Sequence, residues 1–537
     1  MTKVLALLLA TSAAVSPAYV PAQTTSGPAV LPSLGDVDGM SVVEERRLGD
    51  EIARDIYRDP DYLDDPMLGD YLQRLWQPLL ASARARGEIT PEMADRMAWE
   101  LMISRDRTVN AFALPGGYFG VHLGLIAATE NSAELASVLA HEMSHVSQRH
   151  IARMLTQQDK AAPWIIGAMI LGALAARSNV DAANAAIAGS QAVAAQTQLN
   201  FSRDMEREAD RVGFSVMTGA GFEGESFVTM FEKLQKASRL NDDGSFPYLR
   251  SHPLTTERMA DMKARLPLAG ADSAQGPRRA PAATGTAATG GILNLALPRP
   301  GAATALVLPP SGLHPLMAAR ARVLAEKGPD RLRTWLANGQ SGKASPGERY
   351  AAAWAAQKLG QSALAADLAQ RLRQEVAPDV AWAADALWME VVLAPGQEPT
   401  RTQLDELGRL RDRALAAGDR AQLLLGAQAA LATHAPRVAA SGLQTWVVNH
   451  PGDALAWQNL SAVYRAQGQI LRAVRAEAEA HVATRDYPGA LERLRAAQAL
   501  PAAQRNADQV EMAVIDARLR DVQALMRRAE QEGRDKP

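Results

Sequence analysis

His141-Glu142-Met143-Ser144-His145 has the pattern HExxH. On a helix, residues i and i+4 lie about 40° apart around the axis, so both imidazoles project from one face. Two imidazoles at that spacing can grip one divalent cation, and the carboxylate between them is placed to act as a base on water. The chain has no cysteine, which excludes thiolate ligands and disulfides and leaves His, Glu and Asp to complete a site. A zinc hydrolase needs three protein ligands and one open position, so the pattern predicts a third ligand on another element. His150 is near in sequence, but at i+5 from His145 it falls about 140° round a continuous helix and faces elsewhere. Better candidates lie in Ser202-Arg203-Asp204-Met205-Glu206-Arg207-Glu208-Ala209-Asp210. Glu206 and Asp210 are one turn apart on one face. Glu206 can ligate while Asp210 accepts the outer N–H of a ligating histidine, and Glu208 points away from both. The other carboxylates of this run read as solvated surface.

The elements that must hold these residues are legible from periodicity. A helix is predicted from Asn131 or Ser132, with Asn131 and Glu134 spaced as a capping box. Leu135, Val138, Leu139, Val146, Ile151 and Met154 supply its apolar face, so HExxH sits mid-helix. A second helix runs from Ser202 to Thr218, ended by Gly219 and Gly221. Upstream, Ser41–Arg58 and Met67–Ala83 read as helices, and Glu100–Ile103, Val109–Ala113 and Tyr118–Val121 as short strands interrupted at Pro115-Gly116-Gly117. A small sheet therefore precedes the HExxH helix.

At 537 residues the chain is too long for one core, and two or three folded units are expected at about 100–200 residues each. The formal charge of −2 gives no basic footprint and argues against nucleic acid as a partner. Lys3, the apolar run Val4–Val15 and the small residues ending at Ala22 read as a secretory signal peptide over residues 1–22, with a bacterial envelope, the periplasm, as the address. No cysteine follows the apolar run, so a lipoprotein anchor is not expected. The apolar run Ala161–Ala176 is shorter than the roughly 20 residues of a spanning helix. It reads as a buried helix; the alternative is a helix that plugs the cleft or makes peripheral membrane contact. Residues 268–310 are rich in Ala, Gly, Pro and Thr and read as a linker. Residues 311–537 change to Ala, Leu, Arg and Glu in helix-length segments. Trp457, Leu460 and Tyr464, followed by Ala473 and Ala480, have tetratricopeptide spacing, with Ser461 in place of the usual glycine. Such solenoids commonly bind protein segments.

HExxH followed by SRxxExEAD resembles the gluzincin zinc metallopeptidases that include the HtpX and CAAX prenyl proteases. With the signal peptide and the C-terminal helices, the resemblance narrows to the periplasmic β-barrel assembly-enhancing protease family. It implies a mainly α fold: a gluzincin-type metalloprotease domain with a small sheet and edge strand over residues 23–267, then a TPR-like α-solenoid. It implies one Zn2+ held by His141, His145 and Glu206, with Glu142 as base and Asp210 in support. Asn110, Ala111, Phe112, Ala113 and Leu114 resemble the family's substrate-binding edge strand, and Ser251-His252-Pro253-Leu254 its His-Pro loop. There His252 can occupy zinc's fourth position in a resting state. By pattern alone His252 is one of nine histidines and reads as structural. The oxyanion donor is left between His252 and Arg203. The implied substrates are polypeptides, outer-membrane β-barrel proteins, met with their assembly machinery through the solenoid. A scaffold or chaperone with little proteolysis is the rival from a different class.

Overall fold

The computed structural model describes residues 40–157, 202–240, 246–273 and 308–534. The expected signal peptide, the apolar run Ala161–Ala176 and most of the expected linker lie outside the described residues. The described residues form one compact unit.

Helix α1 (Val42–Ile56) opens on a capping box in which the Ser41 hydroxyl accepts from Glu44 N and the Glu44 carboxylate accepts from Ser41 N. Strand β1 (Tyr62–Leu63), helix α2 (Pro66–Ala85) and helix α3 (Pro91–Arg96) follow. Along α2, Leu68, Leu72, Leu75, Trp76 and Leu79 are all buried, an i, i+3, i+4 stripe on which the core is built. Strands β2 (Glu100–Ser104), β3 (Ala111–Leu114) and β4 (Tyr118–His122) complete a sheet of order β1-β2-β4-β3. β2 runs parallel to β4, and β3 antiparallel to it with Ala111 opposite Val121 and Leu114 opposite Tyr118. β3 is thus an edge strand. Gly116 and Gly117 turn the chain between β3 and β4 at φ 75° and 83°. A side chain at Gly116 would place Cβ 2.8 Å from Arg46 Cα on α1, so both the dihedral and the close approach require glycine.

After α4 (Leu123–Ala128), helix α5 (Ser132–Ser147) carries HExxH and is buried along nearly its whole length. Asn131 caps it as expected, its side chain accepting from Glu134 N. The reciprocal bond differs from the predicted box: the Glu134 carboxylate accepts from Glu130 N and is paired with Lys233 at 2.7 Å. The predicted helix does not continue through Met154. Arg149 adopts φ 53° and separates α5 from α6 (His150–Gln157). No glycine or proline marks that corner in the sequence.

Helix α7 (Arg203–Gly219), capped by Ser202, packs against α5. Gly213 makes the close approach possible, since a Cβ there would lie 3.1 Å from the Ala140 backbone. Helix α8 (Glu225–Leu240) packs on α5, the short α9 (Tyr248–Ser251) follows, and α10 (Thr256–Ser273) packs on α7 and α8.

From Leu313 to Arg534 the chain is a succession of helices, each packed on its neighbours. The first, α11 (Leu313–Ala325), lies on α4, and the main hydrophobic core runs without interruption from α2 through α5 and α7 into this array. Polar clasps reinforce the junction. Buried His314 meets Tyr71 Oη at 2.5 Å and the Thr129 carbonyl at 2.9 Å. Arg420 pairs with Asp64 and Asp453, and Arg485 bonds Asp50 and the Tyr118 hydroxyl. Within the array Ser461 donates to the Ala473 carbonyl, a contact that ties adjacent helices. Among the described residues the fold is mainly α with one four-stranded sheet. Among the described residues, no helix is long and apolar enough to cross a membrane.

Candidate metal centre

Helical spacing puts His141 and His145 on one face of α5, with their Nε2 atoms 3.0 Å apart. Helix α7 brings Glu206 alongside, its carboxylate oxygens 3.5 Å from each Nε2. The C-terminal end of α9 adds His252, whose Nδ1 lies 3.0 Å from Glu206 Oε1 and 3.3 Å from His141 Nε2. One ligand atom from each of the four lies within 4.8 Å of the others, and all four residues are buried. Imidazole lone pairs and carboxylate oxygens that face one another when buried are costly unless a proton or a metal ion sits among them. This donor set suits a metal ion: nitrogen and oxygen ligands, at a spacing compatible with bonds of about 2.0–2.2 Å to a shared centre.

Glu142 lies beside this cluster, its Oε1 3.4 Å from His252 Nε2. Neither of its oxygens makes a hydrogen bond of ordinary geometry. Burial pushes its carboxyl above the usual range, against the pull of His252 and His141. That is the direction wanted in a group that accepts and returns a proton near neutrality. Asp210, one turn beyond Glu206, lies 3.0 Å from His141 Nδ1. Burial alone would raise Asp210, but Arg258 and His141 outweigh it and hold the carboxyl low. Burial disfavours the His141 cation, yet Asp210 and Glu206 together push its pKa up to about 9 without a metal. His145 moves the opposite way, lowered by burial and by the His141 charge, so it stays neutral and able to donate an electron pair.

Two residues at the site were not anticipated. Arg258, on the first turn of α10, grips Asp210 with two bonds of 2.6 and 2.7 Å, lies 2.7 Å from Glu206 Oε2 and donates to the Pro253 carbonyl at 2.8 Å. It therefore ties the acidic helix to the loop that carries His252. Tyr248 is buried with its ring stacked on His252 at 4.7 Å, and burial followed by the Glu142 charge drives its hydroxyl well above its ordinary range. No motif contains either residue; the one available sign was an arginine on the first turn after the His-Pro loop. Arg203, the other expected oxyanion donor, is exposed at the start of α7, and the guanidinium found in the cluster is that of Arg258.

The sequence expectation for His150 needs correcting in part. It is not among the clustered ligands, but it does not face elsewhere: its ring lies behind His145, Nδ1 to Nδ1 at 3.0 Å. Glu208 does point away from Glu206 and Asp210, toward His150 Nε2 at 3.0 Å. Ala111–Leu114, with Asn110 just before them, form the edge strand β3, which packs against α5. Ala111 and Leu114 are buried, and Phe112 and Ala113 are half-buried.

The buried histidine–histidine–glutamate–histidine cluster is assembled from three elements beside a small sheet, with HExxH on one of them. Residues 70–266 match Peptidase family M48. Among curated proteins the chain is similar to the beta-barrel assembly-enhancing protease of Escherichia coli K12, 31% identical over 257 residues, 47% of this chain and 49% of that protein. It is 32% identical over 238 residues to the protein of the same name from Yersinia pestis, 44% of this chain and 47% of that one. Mitochondrial metalloendopeptidase OMA1 of Arabidopsis thaliana is 32% identical over 162 residues, 30% of each chain. The chain spans about half the length of the beta-barrel assembly-enhancing proteases it matches.

Proposed function

We propose that this chain is a zinc-dependent endopeptidase of the bacterial envelope that cleaves misfolded or stalled outer-membrane β-barrel proteins and aids their assembly. The observation that carries the reading is the convergence of His141, His145, Glu206 and His252 on one buried point with Glu142 beside it. The names of the relatives support the substrate class, and the N-terminal signal-peptide pattern supports the address.

His141, His145 and Glu206 would hold the zinc, with Asp210 and Arg258 fixing two of them. Zinc bound there supplies a Lewis acid that polarises the scissile carbonyl and acidifies the attacking water. Glu142 takes a proton from that water at a carboxylate oxygen and returns it to the leaving amine. An extended substrate adds to the free edge of β3 at Asn110, Ala111, Phe112, Ala113 and Leu114, which lays its backbone along α5. In this reading His252 is a ligand in the resting enzyme, which is latent until the loop moves. The helices beyond Leu313 serve as a tetratricopeptide-like surface for polypeptides and the assembly machinery. The envelope work also has a non-proteolytic side, supported by the cavity of about 920 Å³ that Trp446, Arg420 and Asp453 of the array form with Tyr62 and α2.

The Glu142→Gln full-length protein tests the core of the proposal. It should retain stoichiometric zinc by mass spectrometry while cleavage of an unfolded outer-membrane β-barrel protein falls by about 10²–10⁴-fold. Proteolysis at the wild-type rate with zinc bound would sink the assignment. Rescue of barrel assembly by the same variant would separate the assembly role from cleavage.

A further inference from the structure

His141 and His145 are oriented from behind in different ways. His141 Nδ1 faces the Asp210 carboxylate directly. His145 Nδ1 faces a second imidazole, His150 Nδ1, at 3.0 Å, with the ring centroids 4.9 Å apart. His150 Nε2 then meets Glu208 Oε2 at 3.0 Å, and that oxygen is also 3.0 Å from Arg153 Nη1. A straight helix would not permit this. The left-handed φ at Arg149 breaks α5 and swings the first residue of α6 back beneath the preceding turn. His150 is fully buried, whereas the Glu208 side chain is 34% exposed, so the chain of contacts leads from the metal cluster to the protein surface.

The proton positions along this chain are constrained. His145 Nε2 faces the cluster, so ligation needs its lone pair there and puts the proton on Nδ1. That N–H must be accepted by His150 Nδ1, which places the single proton of His150 on Nε2, where Glu208 accepts it. With His150 doubly protonated, its Nδ1 would donate, and His145 would carry its proton on the nitrogen that the metal needs.

We infer that His150 and Glu208 are positioning residues for His145: they fix the tautomer and the ring orientation that make it a metal ligand. This rests on the zinc reading above. It assigns to a carboxylate on the outer side of α7 a part in metal retention, relayed through one imidazole, that complements the direct contact from Asp210 on the inner side.

The test is zinc affinity of the full-length protein, by competition with a chromophoric chelator, together with thermal unfolding of the metal-free protein. Glu208→Ala and His150→Phe should each weaken zinc binding by about 10–100-fold. His150→Asn, which keeps a carbonyl acceptor near the position of Nδ1, should recover most of the loss. The loss of zinc affinity should exceed what any loss of metal-free stability accounts for, because the tautomer and orientation of His145 matter most when it must ligate. Wild-type zinc affinity in Glu208→Ala and His150→Phe would overturn the relay and leave the zinc site standing. A loss that follows metal-free stability, with no recovery in His150→Asn, would assign the pair a structural role and equally overturn it. A wild-type protein that binds no zinc would remove both proposals.

Discussion

His252 sits where either a plug or a catalyst would sit. Its Nδ1 faces Glu206 and His141, its Nε2 lies 3.4 Å from Glu142, and its loop is held by the Arg258 bond to the Pro253 carbonyl. If it closes the site, His252→Ala leaves three ligands and frees the fourth position. Basal cleavage or self-cleavage should then rise, by about tenfold if the open state is a minor one of about a tenth. Zinc content and turnover of an unfolded substrate, read together, decide it; a drop in turnover with zinc and fold intact would make His252 a transition-state donor. Legibility at this scale tracked periodicity. His141, His145, Glu206 and Asp210 could be read because pairs four apart on a helix must share a face, and Glu142 because it lies between the two histidines. His252 came only through resemblance. Arg258 and Tyr248 escaped because their partners lie on other elements, at separations no spacing rule encodes. His150 was misplaced because the angular argument assumed a continuous helix, and the dihedral at Arg149 ends it.

The element that makes the site is the α5–α7 pair, and Gly213 sets its separation. Cβ of any other residue there meets Ala140 C and O and His141 N at 3.1 Å, all backbone atoms that cannot rotate away. Gly213→Ala should therefore cost about 1 kcal/mol, and Gly213→Val about 1–3 kcal/mol, as α7 is pushed off α5. The same shift carries Glu206 and Asp210 away from the histidines, so zinc affinity should fall in step with helix displacement. Chemical unfolding paired with chelator competition measures both. An unchanged zinc affinity in a destabilised Gly213→Val would show that the ligands are placed by Arg258 rather than by helix contact. The starts of α5 and α7 were readable from Asn131 and Ser202, because capping is local chemistry. The strand order was not readable, since β2 pairs parallel with β4 and leaves the intervening segment β3 at the edge, a choice made by packing rather than by any one strand.

At the scale of the molecule, the domain that carries the metal cluster and the helical array form one compact unit because of what crosses their seam, and Arg320 is buried at that seam. It leaves α11 to meet Asp65, which also caps α2, at 2.7 Å and Glu390 of the array at 2.6 Å. The composition shift near residue 311 suggested a boundary there; the buried Arg320 pairs and the continuous core join the two stretches through ion pairs between distant segments that are silent in sequence. Removing the guanidinium while keeping an apolar stem, as in Arg320→Met, leaves two carboxylates facing each other without their cation. The expected loss is about 3–5 kcal/mol. Its pH dependence follows from Glu390, whose carboxyl burial already raises against the pull of Arg320. Without that pull its folded pKa rises further above the unfolded value. A carboxyl of that kind binds more protons folded than unfolded, so stability falls as pH rises from the unfolded toward the folded pKa. The Arg320→Met deficit should thus be smallest near pH 4 to 5 and largest at neutral pH, the reverse of a carboxylate stabilised by its partner. Urea unfolding followed separately by near-UV signal and by metal release, across that pH range, gives both numbers. A deficit independent of pH would show that Arg320 acts by packing against Trp354 rather than by neutralising the seam.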